Sequence, residues 1–316
     1  MFSKISPSRT CAVIFLIMSG MFQQSYAISD SCRCVAFRLD DIQDYFLNNV
    51  QIEIMNTFQK NNKSLTVGII GNYFGNDTAI VNFLKEKLEN NTSSLEIANH
   101  GWNHEDFTLF DKQEQAKLIK KTDDKISTIL KVKPTGFVAP FNKINSDTVT
   151  VLTENRFLYI SANVTQDRPP YEIKNESFYH LPSISMTGDL NSDNTQWYGT
   201  THKDTFVQIQ NGLINYGFAV VTLHPQEYSK REGLNFSNEV DDAQIQELEL
   251  LINEIENHGL DIVTISGIPD HNFVHQKTPQ WINHLFTWYQ AKEISADEVI
   301  NAIEFLTENK IIKFNL

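Results

Sequence analysis

The chain has 316 residues, 41% of them hydrophobic, and a formal net charge of −13 at pH 7. This length suffices for one sizeable core, or for one large domain with a small one attached. The acidic balance argues against a broad phosphate-binding surface, so we expect no nucleic-acid partner.

The first residues are typical of an export signal. Lys4 and Arg9 precede an apolar run over residues 11–22, and Ser25-Tyr26-Ala27 then places small residues where a signal peptidase cleaves. We therefore predict a signal peptide over residues 1–27 and a mature protein that is secreted or at the cell surface. The run is too short for a confident membrane span, so we expect no stable span after cleavage. The alternative is an uncleaved N-terminal anchor.

Two cysteines, Cys32 and Cys34, remain after that cleavage. They could form a small local disulfide, stay as thiols, bind metal weakly or pair with another chain, and their spacing leaves these alternatives open. Seven N-x-Ser/Thr triplets offer N-glycosylation acceptors in an exported chain. They begin at Asn62, Asn76, Asn90, Asn91, Asn163, Asn175 and Asn235.

Strand and helix patterns alternate from residue 34 to about residue 268. Short apolar runs predict strands at 35–39, 65–70, 95–98, 136–139, 158–162, 178–183, 218–223 and 260–265. Helical spacing predicts helices at 44–60, 77–88, 111–130, 146–155, 204–216 and 239–257, the fourth capped by Ser146 or Asp147. Repeated units of this kind imply a parallel sheet, and their number suits a closed or nearly closed barrel. An open doubly wound sheet is the alternative.

The same pattern divides the mature chain into a barrel domain over residues 28–270, a linker over 271–279, and a small helical module over 280–316. Ser295 and Glu298 predict a capping box at the start of the second helix of this module. Since the module is too short to hold much core alone, we expect it to dock on the barrel or on a partner.

Polar side chains follow four of the predicted strands at the point where each strand ends. In a parallel barrel these ends share one face, and active sites lie on that face. Taken singly, an Asp pair at a strand end is more often a cap, and a His pair is often incidental. Because all of these residues are predicted on one face of the barrel, a shared functional site is favoured over separate incidental roles. The residues are Asp40, Asp41, His100, His104, Ala139-Pro140-Phe141 and His224.

The His-x-x-x-His spacing with one carboxylate suits a divalent ion of the zinc type. Three protein ligands leave positions open for water and substrate, and the ion can acidify water and polarise a carbonyl. A second carboxylate beside the ligand carboxylate can serve as the base, and a distant His can protonate the leaving amine.

These segments resemble the motifs of the polysaccharide deacetylases of carbohydrate esterase family four. Residues 37–41 (FRLDD) resemble the first motif, residues 100–104 (HGWNH) the second, residues 139–141 (APF) the end of the third, and residues 223–224 (LH) the last. The resemblance covers roughly residues 33–268. It implies an α/β fold in the form of a distorted (β/α)7-type barrel.

The resemblance also implies a role for each residue. Asp40 is then the catalytic base, His224 the catalytic acid, and Asp41, His100 and His104 the ligands of a divalent metal, with zinc expected. Further positions are expected to bind substrate, although the aromatic ones could equally belong to the core. These substrate-binding candidates are Trp102, Pro140, Phe141 and Trp197.

Several positions depart from the family pattern and indicate a divergent branch. Ile42 replaces the usual Gly, Gly101 replaces the usual Ser or Thr, and Val138 replaces an Arg that contacts the base. The charge that tunes Asp40 is therefore missing or comes from elsewhere, with Arg38 and Lys143 as candidates. The fourth motif, an Asp followed by a pocket-lining Trp, has only loose candidates in Asp189, Asp193 and Trp197.

The C-terminal module is similar to a short tryptophan-rich module of exported archaeal proteins. The resemblance rests on residues 279–282 (PQWI), 288–289 (WY), 294–295 (IS) and 303–306 (IEFL). It suggests association with the cell surface.

We therefore expect a metal-dependent hydrolase that removes acetyl or related acyl groups from N-acetylated extracellular glycans. One alternative, motivated by Val138, is a non-catalytic glycan-binding surface protein. Another is a metal-dependent amidase acting on a small amide or a peptide with the same site. A long open groove would favour a polymer, and a closed pocket a small molecule.

Overall fold

The computed structural model describes residues 33–90, 95–164, 178–190, 197–232, 235–270 and 280–312. The predicted signal peptide and linker therefore lie outside the described residues. None of the described helices combines the length and apolarity that a membrane span needs.

Strands and helices in the described part of the chain alternate through the first half and then become irregular. The strands are β1 (Cys34–Ile42), β2 (Leu65–Ile69), β3 (Leu95–Asn99), β4 (Gly136–Val138), β5 (Tyr159–Ser161), β6 (Tyr179–His180), β7 (Ser185–Met186), β8 (Gly188–Leu190), β9 (Trp197–Gly199), β10 (Phe218–Leu223), β11 (Ser229–Glu232), β12 (Asn235–Val240) and β13 (Asp261–Val263). The helices are α1 (Asn48–Lys60), α2 (Thr78–Asn90), α3 (Lys112–Leu130), α4 (Ser146–Glu154), α5 (His202–Tyr216), α6 (Asp242–Asn257), α7 (Asn283–Gln290) and α8 (Ala296–Glu308).

The main sheet is parallel and curves into a barrel. Its strand order is β6-β5-β4-β3-β2-β1-β10-β7, and β13 pairs with the start of β1. β6 and β7 are consecutive in the chain and form the two ends of this order. β6 pairs with β5 and β7 pairs with β10, so the segment between them joins one edge of the sheet to the other. Between these strands, Ser183 N donates to Ala162 O at 2.7 Å and Ile184 N donates to Val220 O at 3.0 Å. The arrangement confirms the predicted distorted (β/α)7-type barrel.

The barrel strands are apolar because both of their faces are covered. β10 is buried along its whole length, and β1 is buried except at Asp41. Strands that are covered on both sides by helices and a filled interior read as continuous hydrophobic runs. α1 covers the outside with Val50, Ile54 and Phe58, which share one helix face at a spacing of four residues.

Some element boundaries differ from the sequence prediction, each for a local reason. α4 is capped by Asn145, whose side chain accepts from Thr148 N, and not by Ser146 or Asp147. α6 begins at Asp242 because the preceding residues pair in β12. α1 begins at Asn48 because Tyr45 and Leu47 have left-handed backbone conformations that no helix contains.

Two antiparallel hairpins were not predicted. β8 pairs with β9, and β11 pairs with β12, both in the second half of the barrel domain. β11 and β12 are rich in polar residues, and β8 and β9 have only three residues each, so neither hairpin contains the apolar run from which a strand is predicted.

The two C-terminal helices pack on the barrel domain. Tyr289 Oη donates to Asp204 Oδ1 at 2.6 Å, and Lys203 Nζ lies 2.6 Å from Asp297 Oδ1, so both bonds join these helices to α5. The capping box at Ser295 is present as predicted. The apolar face of the two helices enters the main core through Leu285, Phe286, Val299, Ile303 and Leu306. The domain boundaries themselves stay predictions.

Cys34 is buried at the start of β1, and its sulfur is in a disulfide. Cys32 lies outside the described residues.

Candidate metal centre

Asp41 lies where β1 leaves its regular pairing with β2. The register between the two strands shifts between Leu39 and Ile42, and Asp41 itself has φ 63°. A left-handed conformation in a non-glycine residue costs about 1–3 kcal/mol and persists only where the surrounding structure enforces it. Such strain is concentrated at functional sites, and here it occurs at a predicted metal ligand.

His100 follows β3 directly and is 1% exposed. Its Nδ1 donates to the Val138 carbonyl at 2.8 Å, which leaves Nε2 as the nitrogen that faces Asp41. Gly68 makes room for this ring, because a Cβ there would lie 3.3 Å from His100 Cβ. His104 reaches the same point after a turn in which Gly101 and His104 have φ 76° and 57°.

The turn that carries the two histidines is anchored by Asn99. Its Oδ1 accepts from Gly101 N at 2.9 Å, and its Nδ2 donates to Asp123 Oδ1 at 2.8 Å and to Ile119 O at 3.0 Å. Asp123 and Ile119 belong to α3, so the turn is fixed to a helix as well as to the sheet. The sequence analysis missed Asn99 and Asp123, because no motif connects residues 24 positions apart.

Asp41, His100 and His104 form one compact cluster. Asp41 Oδ1 lies 3.4 Å from the Nε2 atoms of both histidines, and one ligand atom from each residue lies within 4.8 Å of the others. A tetrahedral site with bonds of about 2.1 Å has ligand atoms about 3.4 Å apart. His100 Nε2 is also buried without a hydrogen-bond partner. The three residues therefore fit a divalent ion.

The three residues of the cluster shift one another's pKa values. Burial alone would raise the pKa of Asp41, but the 3.4 Å contact with His100 Nε2 and the imidazole charges hold it well below its usual range. Burial alone would lower the pKa of His100, but its contact with Asp41 and the charges of Asp40 and Asp41 raise it. For His104, burial and the neighbouring His100 charge lower the pKa.

Arg38 supplies the charge beside Asp40. This guanidinium is fully buried, and its Nη2 donates to Asp40 Oδ2 at 3.0 Å and also to Asn142 Oδ1. Its Nη1 donates to Ser161 Oγ at 2.9 Å. Lys143, the other candidate, instead lies 2.7 Å from Asp106 Oδ2. Asp40 Oδ1 is buried, and no residue in the described part of the chain forms a hydrogen bond with it.

His224 lies across the site from the histidine pair. Its Nε2 is 4.0 Å from Asp40 Oδ2, and its Nδ1 is 3.0 Å from Oε1 of Glu227, a buried residue in the turn Pro225–Tyr228. Thr187 Oγ1 donates to Glu227 Oε2 at 2.5 Å. Burial would lower the pKa of His224, but the bond and charge of Glu227 and the charges of Asp40 and Asp41 raise it to about 9.

Three of the four predicted substrate-binding residues border this cluster. The Phe141 ring, which is 56% exposed, lies 4.5 Å from the His104 ring between centroids, and the Trp197 ring lies 5.2 Å from that of His224. Pro140 is buried beside Gly101, where a Cβ would lie 3.1 Å from Pro140 Cγ.

Trp102 is the exception. Its ring lies against α3, with Lys121 Nζ 3.9 Å from the ring centroid, and it covers Gly71, where a Cβ would lie 2.9 Å from Trp102 Cε3. The structure therefore does not bring this ring to the metal cluster. Of the loose candidates for the fourth motif, Asp189 lies in β8 and Asp193 lies outside the described residues.

Fold and cluster define an α/β barrel with a candidate Asp-His-His metal site at the carboxyl ends of its strands. Residues 27–160 match the family model described as polysaccharide deacetylase. The matched segment is thus a polysaccharide deacetylase domain, which confirms the resemblance seen in the sequence. The match includes the predicted base and the predicted metal ligands, and it ends before the segment that contains His224.

Among curated proteins, the peptidoglycan deacetylase-like protein FGM2 of Gibberella zeae is 39% identical over 67 residues. That alignment covers 21% of this chain and 20% of the relative. The fold is also similar to a family four pseudoenzyme from Bacillus anthracis, with TM-score 0.50, 14% identity, and coverage of 76% of this chain and 66% of that one. A family 4 acetyl xylan esterase from Clostridium thermocellum, in complex with a cobalt ion, is similar with TM-score 0.50 and 16% identity. That match covers 74% of this chain and 89% of the esterase.

Proposed function

We propose that this protein is a metal-dependent hydrolase that removes acetyl or related acyl groups from N-acetylated extracellular glycans. The observation that supports this most directly is the cluster of Asp41, His100 and His104, beside a buried carboxylate and a third imidazole. The family acts on N-acetyl amide bonds, and the Gibberella zeae relative is named a peptidoglycan deacetylase-like protein, which favours a peptidoglycan-type substrate.

In this proposal, Asp41, His100 and His104 hold a divalent ion, which we propose to be zinc from the Asp-His-His donor set. When bound, such an ion polarises the substrate carbonyl and acidifies water. The bond from His100 Nδ1 to the Val138 carbonyl keeps Nε2 unprotonated and directed at the ion.

Asp40 removes the proton from the attacking water. Its two oxygens differ, since Oδ2 accepts from Arg38 while Oδ1 has no hydrogen-bond partner among the described residues. Oδ1 is therefore the atom that takes the proton. The buried guanidinium donates to the other oxygen and so fixes the orientation of the carboxylate.

His224 delivers a proton to the departing nitrogen as the carbon–nitrogen bond breaks. Its Nδ1 is bound by Glu227, so Nε2 is the nitrogen that faces Asp40 and the substrate. A pKa of about 9 keeps the imidazole protonated at neutral pH, as a general acid requires.

We also propose that the chain is exported, that residues 1–27 are removed as a signal peptide, and that some of the exposed acceptor asparagines carry glycans. The C-terminal module would then place the catalytic domain at the cell surface. Detection of the tagged protein outside the cytoplasm, with its mature N-terminus at Ile28, is the expected result.

The test of the activity measures metal content and acetate release from N-acetylated oligosaccharides. Asp40→Asn should keep the metal and lose at least about a hundredfold in rate, because the base is gone. Asp124→Asn is a matched control, since this exposed carboxylate pairs only with Lys120 among the described contacts. Equal rates for wild type and Asp40→Asn would remove Asp40 from its role. Glycan binding without release would support the non-catalytic alternative, and release only from small amides the amidase alternative.

A further inference from the structure

Exposed apolar side chains are concentrated on one face of the protein. Eight large ones stand out among the described residues, and five of them follow the carboxyl ends of barrel strands, on the face that carries the metal cluster. Large exposed apolar patches mark interaction sites or ligand-binding grooves. The five are Tyr45, Tyr73, Leu109, Phe141 and Tyr198. The other three, Leu158, Leu250 and Phe305, lie elsewhere.

Tyr45 is 73% exposed and has φ 56°. An aromatic residue in the left-handed conformation is strained. Burial of the ring does not offset this strain, because the ring is exposed to solvent. The surroundings nevertheless hold the conformation, because Tyr45 N donates to Asp77 Oδ2 at 3.2 Å and Tyr45 Oη donates to the Asn76 carbonyl at 2.8 Å. The ring is thus held in solvent by a fixed network.

Tyr73 lies in the neighbouring loop and is 46% exposed. Its carbonyl accepts from Asp44 N at 2.7 Å, which joins the loop after β2 to the loop after β1. Asp44 binds back through its carboxylate, which accepts from Gly75 N at 3.0 Å and from Asn76 N at 2.6 Å. The two loops therefore behave as one rigid unit that presents two tyrosine rings.

This unit lies close to the metal cluster. Asp44 is three residues from Asp41, so their Cα atoms are at most about 11 Å apart even in extended chain. The loop segments 43–47 and 70–77 contain neither lysine nor arginine. Lys125 of α3 does contact this unit, since its Nζ donates to the Asn72 carbonyl at 3.2 Å, but the unit also carries the carboxylates of Asp44 and Asp77. In a chain with a net charge of −13, an anionic polymer would therefore find little attraction here.

We propose that Tyr45 and Tyr73 form a binding platform for further sugar rings of a neutral glycan chain whose acetylated residue occupies the metal centre. The inference rests on the proposed function and adds to it the residues of this chain that bind sugar rings beyond the acetylated one. Rigid tyrosines combine a flat apolar face with a polar tip, and they lose little conformational freedom on binding.

The test compares a long and a short neutral probe, the hexamer and the dimer of N-acetylglucosamine. Calorimetry in an Asp40→Asn background measures binding without turnover. Tyr73→Ala should weaken hexamer binding about fivefold to tenfold and dimer binding less, and Tyr45→Ala should act in the same direction. Tyr73→Phe keeps the ring and should restore most of the affinity. Phe305→Ala, an exposed aromatic on α8, is the matched control and should change neither affinity.

Tyr73→Ala leaves the backbone bond to Asp44 in place, and thermal melting of each variant checks that the fold is kept. Unchanged hexamer affinity in Tyr73→Ala would overturn the proposal, and so would equal weakening of hexamer and dimer. Absence of hexamer binding in the Asp40→Asn parent would overturn it as well. If the parent protein binds phosphatidylcholine vesicles, and Tyr73→Ala loses that binding but keeps its hexamer affinity, the rings belong to a membrane-binding surface and the proposal is overturned. Failure of acetate release by wild type is a separate result, because it tests the proposed activity and not the platform.

Discussion

The two sides of the site are built in different ways. The metal side comes from the loops after β1 and β3, each one regular strand–helix unit, and it lies within the segment that matches the deacetylase family. The acid side comes from a short turn after β10 and from strands around residue 187, where regular alternation has stopped. On the metal side, His100 and His104 lie in one turn after β3, and Asp41 joins them from the end of β1. On the acid side, His224 bonds to Glu227 in the same turn, and Glu227 bonds to Thr187, which is 40 residues away in the chain.

Asp40 stands at the boundary between the two sides, and its support combines near and distant residues. Its guanidinium partner, Arg38, is only two residues away, but Arg38 is itself held by Ser161 on β5 and by Asn142. The charge that the sequence analysis missed at the position of Val138 is thus supplied from β1.

Loss of a metal ligand should have the largest effect. His104→Ala removes one of three ligands, and because a bound ion is worth several kcal/mol in the transition state, we expect about a thousandfold loss of acetate release. Metal content measured on the purified variant should fall in parallel. His284→Ala, an exposed histidine on α7, should keep both metal and rate. Full metal content in His104→Ala would contradict the assignment of this side.

Removal of the acid should separate the two sides. His224→Gln takes away the proton donor but no metal ligand, so the rate should fall about a hundredfold while metal content stays at the wild-type level. Rates and metal content are measured on the same preparation. If His224→Gln loses its metal to the same degree as His104→Ala, then His224 belongs to the metal side and the comparison fails.

The hydrogen bonds of Asn99, which fix the turn that carries the two histidines, should contribute to metal affinity. Asn99→Ala frees the turn between the histidines from α3, and loss of such outer contacts typically weakens metal affinity about tenfold. Competition with a chromogenic chelator gives the affinity directly. Asn215→Ala, on α5, removes an amide that bonds only to Asn211 among the described residues. The prediction is contradicted if Asn99→Ala and Asn215→Ala have the same affinity for the metal.

The acid side should instead respond to pH. The pKa of His224 is raised to about 9, above its ordinary value, so the protonated acid persists through neutral pH and the rate should fall as pH rises through about 9. Glu227→Gln removes the main cause of that rise while burial still lowers the pKa. The alkaline limb of kcat/KM should then move at least about one pH unit lower, which is a loss of at least about fivefold at pH 9 and little change at pH 6. Glu232→Gln, on β11, should leave the limb in place.

The same group makes a matching contribution to stability. Because the folded-state pKa of His224 is raised, its stabilising effect is fully present below about pH 6.5, the ordinary histidine value. The effect is lost as pH rises from there through about 9. Chemical denaturation of wild type and Glu227→Gln at pH 6 and pH 10 should show a larger difference at the lower pH.

Most of the barrel could be predicted because hydrophobic periodicity is a local signal. The run that forms β10 and the stripe of α1 each indicate their element without reference to the rest of the chain. The hairpins β8–β9 and β11–β12 could not be predicted in this way, because polar strands are stabilised by their partners and not by an apolar run. The sequence likewise left open whether the Trp102 ring faces substrate or core, because an aromatic side chain next to a predicted ligand can turn to either side of its loop; in the structure the ring lies against α3.

The sequence by itself determined the kind of chemistry. Asp41, His100 and His104 are recognisable because metal ligands must be of particular types, and parallel strands bring residues at their carboxyl ends to one face. Only the tertiary structure decided which groups tune that chemistry. Arg38 could be chosen over Lys143, and Glu227 found at all, only from distances across the barrel, because electrostatic coupling depends on separation in space and on burial.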